Sequence, residues 1–293
     1  MIHEPPCGVL VVDKPCGPTS QDIVAQVRRF LKTKVGHTGT LDPLATGVLP
    51  LVVGRATRLA QFFQASDKEY EAELRLGQST DTFDREGKTL EERPVPEISS
   101  RQAQVVLSQF KGEIQQQPPM FSAVKVGGEK LYNLARQNRT VERPFRTVSI
   151  FSLDLLEQTS VSWRLRIHCS SGTYIRALVH EIGQKLGCGA CLYNLRRVRS
   201  GSFDLSKALP IEEMKGRWKE VLYPMEDLLP ELPRIELDDV EALRIGHGNE
   251  IPYGDGKPRD LYRLFYHQKL VAIAECSAAA QLRPKVVLRR IEP

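Results

Sequence analysis

The order of apolar and polar residues divides the chain into elements before composition is weighed. Residues 8–12, GVLVV, are a continuous apolar run closed by Lys14-Pro15, the pattern of a short buried strand. Ile23, Val24, Val27, Phe30 and Leu31 then recur at helical spacing, which predicts a helix opened by Ser20 as N-cap. VLPLVV at 48–53 predicts a second buried strand, with Pro50 arguing for an edge or a bulge, and a short helix follows near 56–64. Residues 70–76, YEAELRL, alternate strictly, so Tyr70, Ala72, Leu74 and Leu76 share the inner face of a half-buried strand. Residues 161–169 alternate in the same way, with Val161, Trp163, Leu165, Ile167 and Cys169 on one side. A helix from about Thr173 carries Ile175, Leu178, Val179, Ile182 and Leu186 as its stripe and stops at Gly187. Arg176 sits in its first turn, one position off the stripe.

Residues 36–47, GHTGTLDPLATG, interrupt these patterns with three glycines, a proline and three threonines. They read as an ordered loop whose glycines bring backbone close to another part of the chain. Strands and helices mix without a strict βαβ repeat, which predicts an α+β fold with a mixed, largely antiparallel sheet. The Pro- and Leu-punctuated stretch 207–233 reads as an inter-domain connection. Beyond it, LYRLFYH, KLVAIAE and KVVLRR read as strands of a small β-rich domain.

Bulk properties narrow the partners only slightly. A chain of 293 residues holds one large domain or a large and a small one. Lys and Arg total 41 against 36 Asp and Glu, a net +5 that permits a polyanionic partner without requiring one. There is no apolar run long enough for a membrane helix, and the N-terminus lacks the charged and apolar segments of a signal peptide; the expected compartment is the cytoplasm. Six sparse, irregularly spaced cysteines fit reduced thiols. The pair Cys188 and Cys191 lacks a second pair or nearby histidines, so small buried residues near a helix end are expected there, not a metal or redox site.

Local chemistry leaves the function open. Asp42-Pro43 is an ordinary turn starter, His37 an ordinary loop histidine, and no P-loop, H-E-x-x-H or G-x-G-x-x-G is present. Four ordered motifs go further. Gly36–Gly47 resembles the signature loop of the TruB family of pseudouridine synthases. Val12-Asp13-Lys14-Pro15 with Gly17-Pro18-Thr19-Ser20, the stretch from Ser66 through Tyr70 to Thr82, and Cys169–Arg176 resemble its other motifs in the same order. Gly187-Cys188-Gly189-Ala190 and Leu195-Arg196-Arg197 extend the likeness.

The resemblance implies a pseudouridine synthase domain over 1–230, with an RNA-clamping insertion at about 110–147, and a PUA-like RNA-binding domain over 231–293. It implies isomerisation of the uridine at position 55 in the T-loop of tRNA, without cofactor or metal. The partner would be tRNA, with no membrane, no required protein partner and a monomeric enzyme. Asp42 matches the catalytic carboxylate, and Arg176 the arginine expected to keep it ionised and aim it bidentately. Tyr70 matches a tyrosine that stacks on the base and has a hydroxyl able to move a proton. Tyr174 and Leu195 match positions lining the uracil pocket, and His37 a histidine holding the flipped loop. Lys125, Lys130, Arg136, Arg139, Arg143 and Arg146 in the insertion, with Arg196, Arg197 and Arg199, are the expected phosphate contacts. Attack at C1′, attack at C6 and loss of a C2′ proton all stay open for Asp42. A guide-dependent rRNA relative and an RNA-folding protein with dispensable catalysis are the alternatives; Leu44-Ala45-Thr46 and the short C-terminal region favour the stand-alone type.

Overall fold

The structure, a computed structural model, describes residues 5–122, 124–137, 139, 141–254 and 256–292. In chain order the elements begin with β1 (Gly8–Lys14), α1 (Ser20–Leu31), β2 (Val35–His37) and β3 (Thr46–Val53). A 3-10 turn, Gly54–Leu59, runs into α2 (Ala60–Gln64), then β4 (Lys68–Leu76), β5 (Gln78–Thr80) and β6 (Thr89–Glu92). There follow α3 (Ser100–Ser108), β7 (Gly112–Gln116), β8 (Lys125–Val126), β9 (Glu129–Lys130) and α4 (Leu131–Arg136). The long hairpin β10 (Arg146–Gln158) and β11 (Ser162–Cys169) leads to α5 (Ile175–Leu186) and β12 (Ala190–Ser200). After β13 (Phe203–Asp204) and β14 (Leu209–Pro210) come α6 (Ile211–Val221) and β15 (Tyr223–Pro224). The C-terminal part holds β16 (Arg234–Glu236), α7 (Asp239–Gly246), β17 (Ile251–Pro252), β18 (Leu261–Tyr266), β19 (Lys269–Cys276) and β20 (Gln281–Val287).

Eleven strands form one sheet along the path β14-β1-β3-β12-β4-β11-β10-β7, with β2, β13 and β15 paired beside it. Only β1/β14 and β3/β12 run parallel, so the expected mixed, largely antiparallel α+β sheet is what forms. A separate five-stranded sheet, β16-β18-β19-β20-β17, lies in the C-terminal part.

Burial explains why the two kinds of strand read differently in sequence. Leu10, Val12, Leu49 and Leu51 share one core with Tyr70, Leu74, Trp163 and Ile167, under α1, α3 and α5. On the opposite face, Val9, Val11, Val48 and Val52 pack with Phe203, Met225, Phe265 and Ile273, so β1 and β3 are covered on both sides and are continuously apolar. Beyond β3, that second face carries ion pairs instead: Arg166 with Glu71 (2.9 Å), and Arg199 with Asp67 (2.8 Å) and Glu69 (2.9 Å). Hence β4 and β11 alternate.

Four local expectations need correction. The N-cap of α1 is Thr19: its hydroxyl accepts from Asp22 N (3.1 Å) and the Asp22 carboxylate accepts from Thr19 N (2.9 Å), a capping box. Ser20 instead reaches across to Leu41, accepting from its N–H (2.8 Å) and donating to its carbonyl (3.0 Å). Pro50 lies inside the sheet with no bulge against β1. Its carbonyl accepts from Thr38 N, so its missing N–H falls on the same side and faces Thr38, where the pairing of β2 with β3 ends after His37 and Leu51. Val161 belongs to the hairpin turn and is exposed, because the inner face of β11 starts at Trp163. The stretch 207–233 is built structure: Ile211 and Met214 of α6 enter the main core.

The two residues at the start of α1 should separate in experiment. Thr19→Ala is expected to lower stability by about 1 kcal/mol through loss of the cap. Ser20→Ala should instead speed hydrogen exchange at the Leu41 amide selectively, as amide exchange by NMR would report.

Candidate active site

The loop from Thr38 to Ala45 connects β2 to β3 and is held from three sides. Ser20 fixes Leu41, as above. Lys14, fully buried at the end of β1, donates through Nζ to the carbonyls of Pro15 (2.9 Å), Pro43 (3.2 Å) and Ala45 (2.7 Å). Burial pushes its ammonium pKa down, and the three carbonyls solvate the charge that remains. Arg197 of β12 donates Nη2 to Gly39 O (3.1 Å) and Nε to Val48 O (2.7 Å). Asp42 opens a turn closed by Ala45 N to Asp42 O (3.0 Å), as its place before Pro43 predicts. Gly47 leaves the loop at φ 100, where a Cβ would come within 2.2 Å of Arg197 O; this is the close backbone approach foreseen in the loop.

Arg176 meets Asp42 from α5. Its Nε lies 2.9 Å from Asp42 Oδ2, while the guanidinium is only 5% exposed. The Nε–H is not aligned on the carboxylate, so the contact is an ion pair through one atom and not the bidentate fork expected. The rest of the fork is committed elsewhere. Nη1 donates to Thr82 O (3.0 Å) and lies 3.4 Å from buried Asp84 Oδ2; Nη2 donates to Phe121 O (2.9 Å). The turn holding Thr82 and Asp84 is strained at Phe83, whose φ of 64 costs a non-glycine residue about 1–2 kcal/mol. The Phe83 ring stacks on His180, with centroids 4.0 Å apart and planes at 15°.

These residues open onto a cleft of about 330 Å³. His37, Asp42, Tyr70, Tyr174, Arg176 and Leu195, widely separated in sequence, all line it. Tyr70 sits on the inner face of β4 and burial raises its phenol pKa; burial raises that of Tyr174 as well. The pKa of His37 is lowered by burial and then by the charge of Arg197, which favours the neutral ring, and its buried Nδ1 has no hydrogen-bond partner among the described residues. Tyr174 is positioned by Gln116, which donates to Tyr174 O (3.0 Å) and accepts from Tyr174 N (2.7 Å).

The basic residues divide. Arg197 is 1% exposed, donates Nε and Nη2 to carbonyls and lies against Tyr70, so it is a loop anchor and not a phosphate contact. Arg196 is partly exposed and makes a bidentate pair with Asp13 (2.8 and 3.1 Å). Arg199 is partly buried among Asp67 and Glu69. Arg143 ties the two ends of the 117–143 segment, donating to Pro118 O (2.8 Å) and Gln117 Oε1 (3.2 Å). Arg139 and Arg146 are exposed. The side chains of Lys125, Lys130 and Arg136 lie outside the described residues. Cys188 and Cys191 are free and buried. Among the described residues no group of three or more His, Cys, Asp or Glu is placed to hold a metal ion, and no helix is long and apolar enough to cross a membrane.

Sequence reasoning missed three contributors. Lys68 lines the cleft and shares the Tyr70 face of β4, a placement the strand alternation already implies. Asp84 and Gln116 gave no such signal, since their roles depend on contacts to α5 and its N-cap.

Comparison with known proteins identifies the family. The family model described as TruB family pseudouridylate synthase (N terminal domain) matches residues 28–175. The chain belongs to the TruB family. Two further models, tRNA pseudouridylate synthase B C-terminal domain and Pseudouridine synthase II TruB, C-terminal, match residues 176–230 and 233–288. A relative named tRNA pseudouridine synthase B from Solibacter usitatus is 43% identical, covering 96% of this chain and 99% of the relative. The protein of that name from Clostridium tetani is 38% identical over 92% and 95%. Among solved structures, the fold matches that in the crystal structure of a Cbf5-Nop10-Gar1 complex with TM-score 0.74 and 29% identity, over 97% of this chain and 85% of the other. As a TruB pseudouridylate synthase, the chain is an isomerase.

Lys68 gives this TruB cleft a measurable pH signature. Burial, and secondly the charge of Arg197, push its pKa down to about 8. The unfolded lysine, at its ordinary value, binds the proton more tightly, so stability should rise with pH above about 8 and level off above about 10.5. Lys68→Met should flatten that rise when denaturation midpoints are compared across the range.

Proposed function

We propose that this chain converts uridine to pseudouridine in tRNA, at position 55 of the T-loop, with Asp42 as the catalytic carboxylate. The observation that carries the reading is the Asp42–Arg176 pair at the mouth of a cleft walled by Tyr70, Tyr174 and Leu195. The reaction detaches the base, turns it and rejoins it through carbon, with no net redox change, so it needs no cofactor. It needs an ionised carboxylate able to act on an electron-poor centre and leave again. Arg176 is its partner. It pairs with Oδ2, while Asp42 keeps a 38% exposed side chain facing the cleft.

The walls suit a pyrimidine. Tyr70 offers a flat, dry face for stacking, and Tyr174 and Leu195 bound the same space. A uridine must leave its own stack to enter, at a cost of a few kcal/mol. Arg139, exposed in the segment between β7 and β10, and Arg146, exposed at the start of β10, are the proposed phosphate contacts, together with Lys125, Lys130 and Arg136. In this reading residues 1–230 form the catalytic domain, 110–147 clamp the RNA and 231–293 form a PUA-like RNA-binding domain. The enzyme works as a cytoplasmic monomer without guide RNA or protein partner. The tRNA pseudouridine synthase B relatives, more similar than the Cbf5 chain, support this stand-alone type.

Incubation with a bare tRNA transcript, followed by pseudouridine mapping, tests the reading directly; modification at position 55 is expected. Asp42→Asn should lower turnover by roughly three orders of magnitude or more with tRNA binding kept. Arg176→Lys should also impair turnover strongly, since an ammonium cannot serve Asp42, Asp84 and two carbonyls together. Replacing Arg139 and Arg146 with Gln should weaken RNA binding and flatten its dependence on salt.

A further inference from the structure

We infer that His180 is a positioning residue for the reacting pair, acting through its stack on Phe83. The inference rests on the reading of Asp42 and Arg176 given above. Arg176 and His180 are four residues apart on α5 and so project from neighbouring turns of one face. Between them they hold three consecutive residues of the 82–84 turn. Arg176 takes the Thr82 carbonyl and the Asp84 carboxylate, and His180 takes the Phe83 ring between them.

The identity of residue 83 is the telling feature. At φ 64 the backbone conformation favours glycine, yet a bulky aromatic occupies it. What that side chain does there is lie against the imidazole at 4.0 Å, nearly parallel. The other side of the turn is already fixed, because Phe83 O accepts from Leu192 N (2.9 Å) and Thr80 Oγ1 donates to Asp84 O (2.7 Å). The stack therefore sets the distance between this turn and α5, and with it the place of the Arg176 guanidinium. Burial favours the neutral imidazole, and its buried Nδ1 has no partner among the described residues, so the ring face is what His180 contributes to this contact. Neither Phe83 nor His180 lines the cleft. Loss of the stack should therefore appear in turnover and not in RNA affinity.

The test compares His180→Ala, His180→Phe and Phe83→Gly in steady-state kinetics on a tRNA transcript. His180→Ala should lower kcat by roughly tenfold or more with KM within about twofold, because small misplacement of a reacting group is costly. His180→Phe, which keeps a flat ring, should restore most of the rate. Phe83→Gly relieves the backbone strain, so a turn that needed only its backbone shape would work as well or better; the inference expects the same kcat loss as His180→Ala. The double variant His180→Ala with Phe83→Gly should be no slower than either single one. The Arg176 Nε–H resonance should move or broaden in Phe83→Gly, a readout that remains should His180→Ala fail to fold. Normal kcat in Phe83→Gly, a loss carried by KM, no rescue by His180→Phe, or an unchanged Arg176 resonance overturns the inference. Activity surviving Asp42→Asn would overturn the parent reading and this one together; an inactive Asp42→Asn beside a normal His180→Ala overturns this one alone.

Discussion

A buried guanidinium organises the part of this molecule around the cleft. Arg176 joins four stretches of chain: α5, the Asp42 loop, the 82–84 turn and the segment at Phe121. Each contact offsets part of the cost of removing a cation from water, and none alone would suffice. Removing one partner of such a buried charge costs about 3–5 kcal/mol. The ion pair with Asp42 is thus held in place by contacts that do not touch the cleft, which leaves Asp42 itself accessible.

The same device recurs in neutral form around the loop. Lys14 and Arg197 are buried cations whose hydrogen-bond partners are backbone carbonyls. Carbonyls of Gly39, Pro43, Ala45 and Val48 are thereby pinned on both sides of Asp42. A loop of small residues has little core of its own to order it. Here order comes from cations borrowed from β1 and β12, the strands on either side of β3. Stability of the fold and geometry of the site are therefore coupled through β1, β3 and β12.

Much of this was legible in the residues. Continuous apolar runs marked β1 and β3 because both faces are covered, and alternation marked β4 and β11 because one face carries exposed ion pairs. The Gly187 stop of α5 follows from its left-handed cap at φ 81. Three of the misreadings share one origin. Ser20, Arg197 and Arg143 are polar residues that local sequence assigns to caps or to solvent, but each bonds a distant backbone group. Which distant carbonyl needs a donor is not written near the donor.

By itself the sequence determined the elements β1, α1, β3, β4, β11 and α5, the α+β class, the inner-face placement of Tyr70 and, through ordered motifs, the TruB family. Periodicity and local motif carry that information because helices and strands repeat every few residues. Tertiary structure decided which charges are buried and what they serve. It turned an expected bidentate fork into a single-atom ion pair, added Asp84 and Gln116 to the site, and withdrew Arg197 from the RNA surface. The reason is physical: a buried polar group is fixed by whichever partners the packing brings within about 3 Å, and those partners lie up to 158 residues away in the chain.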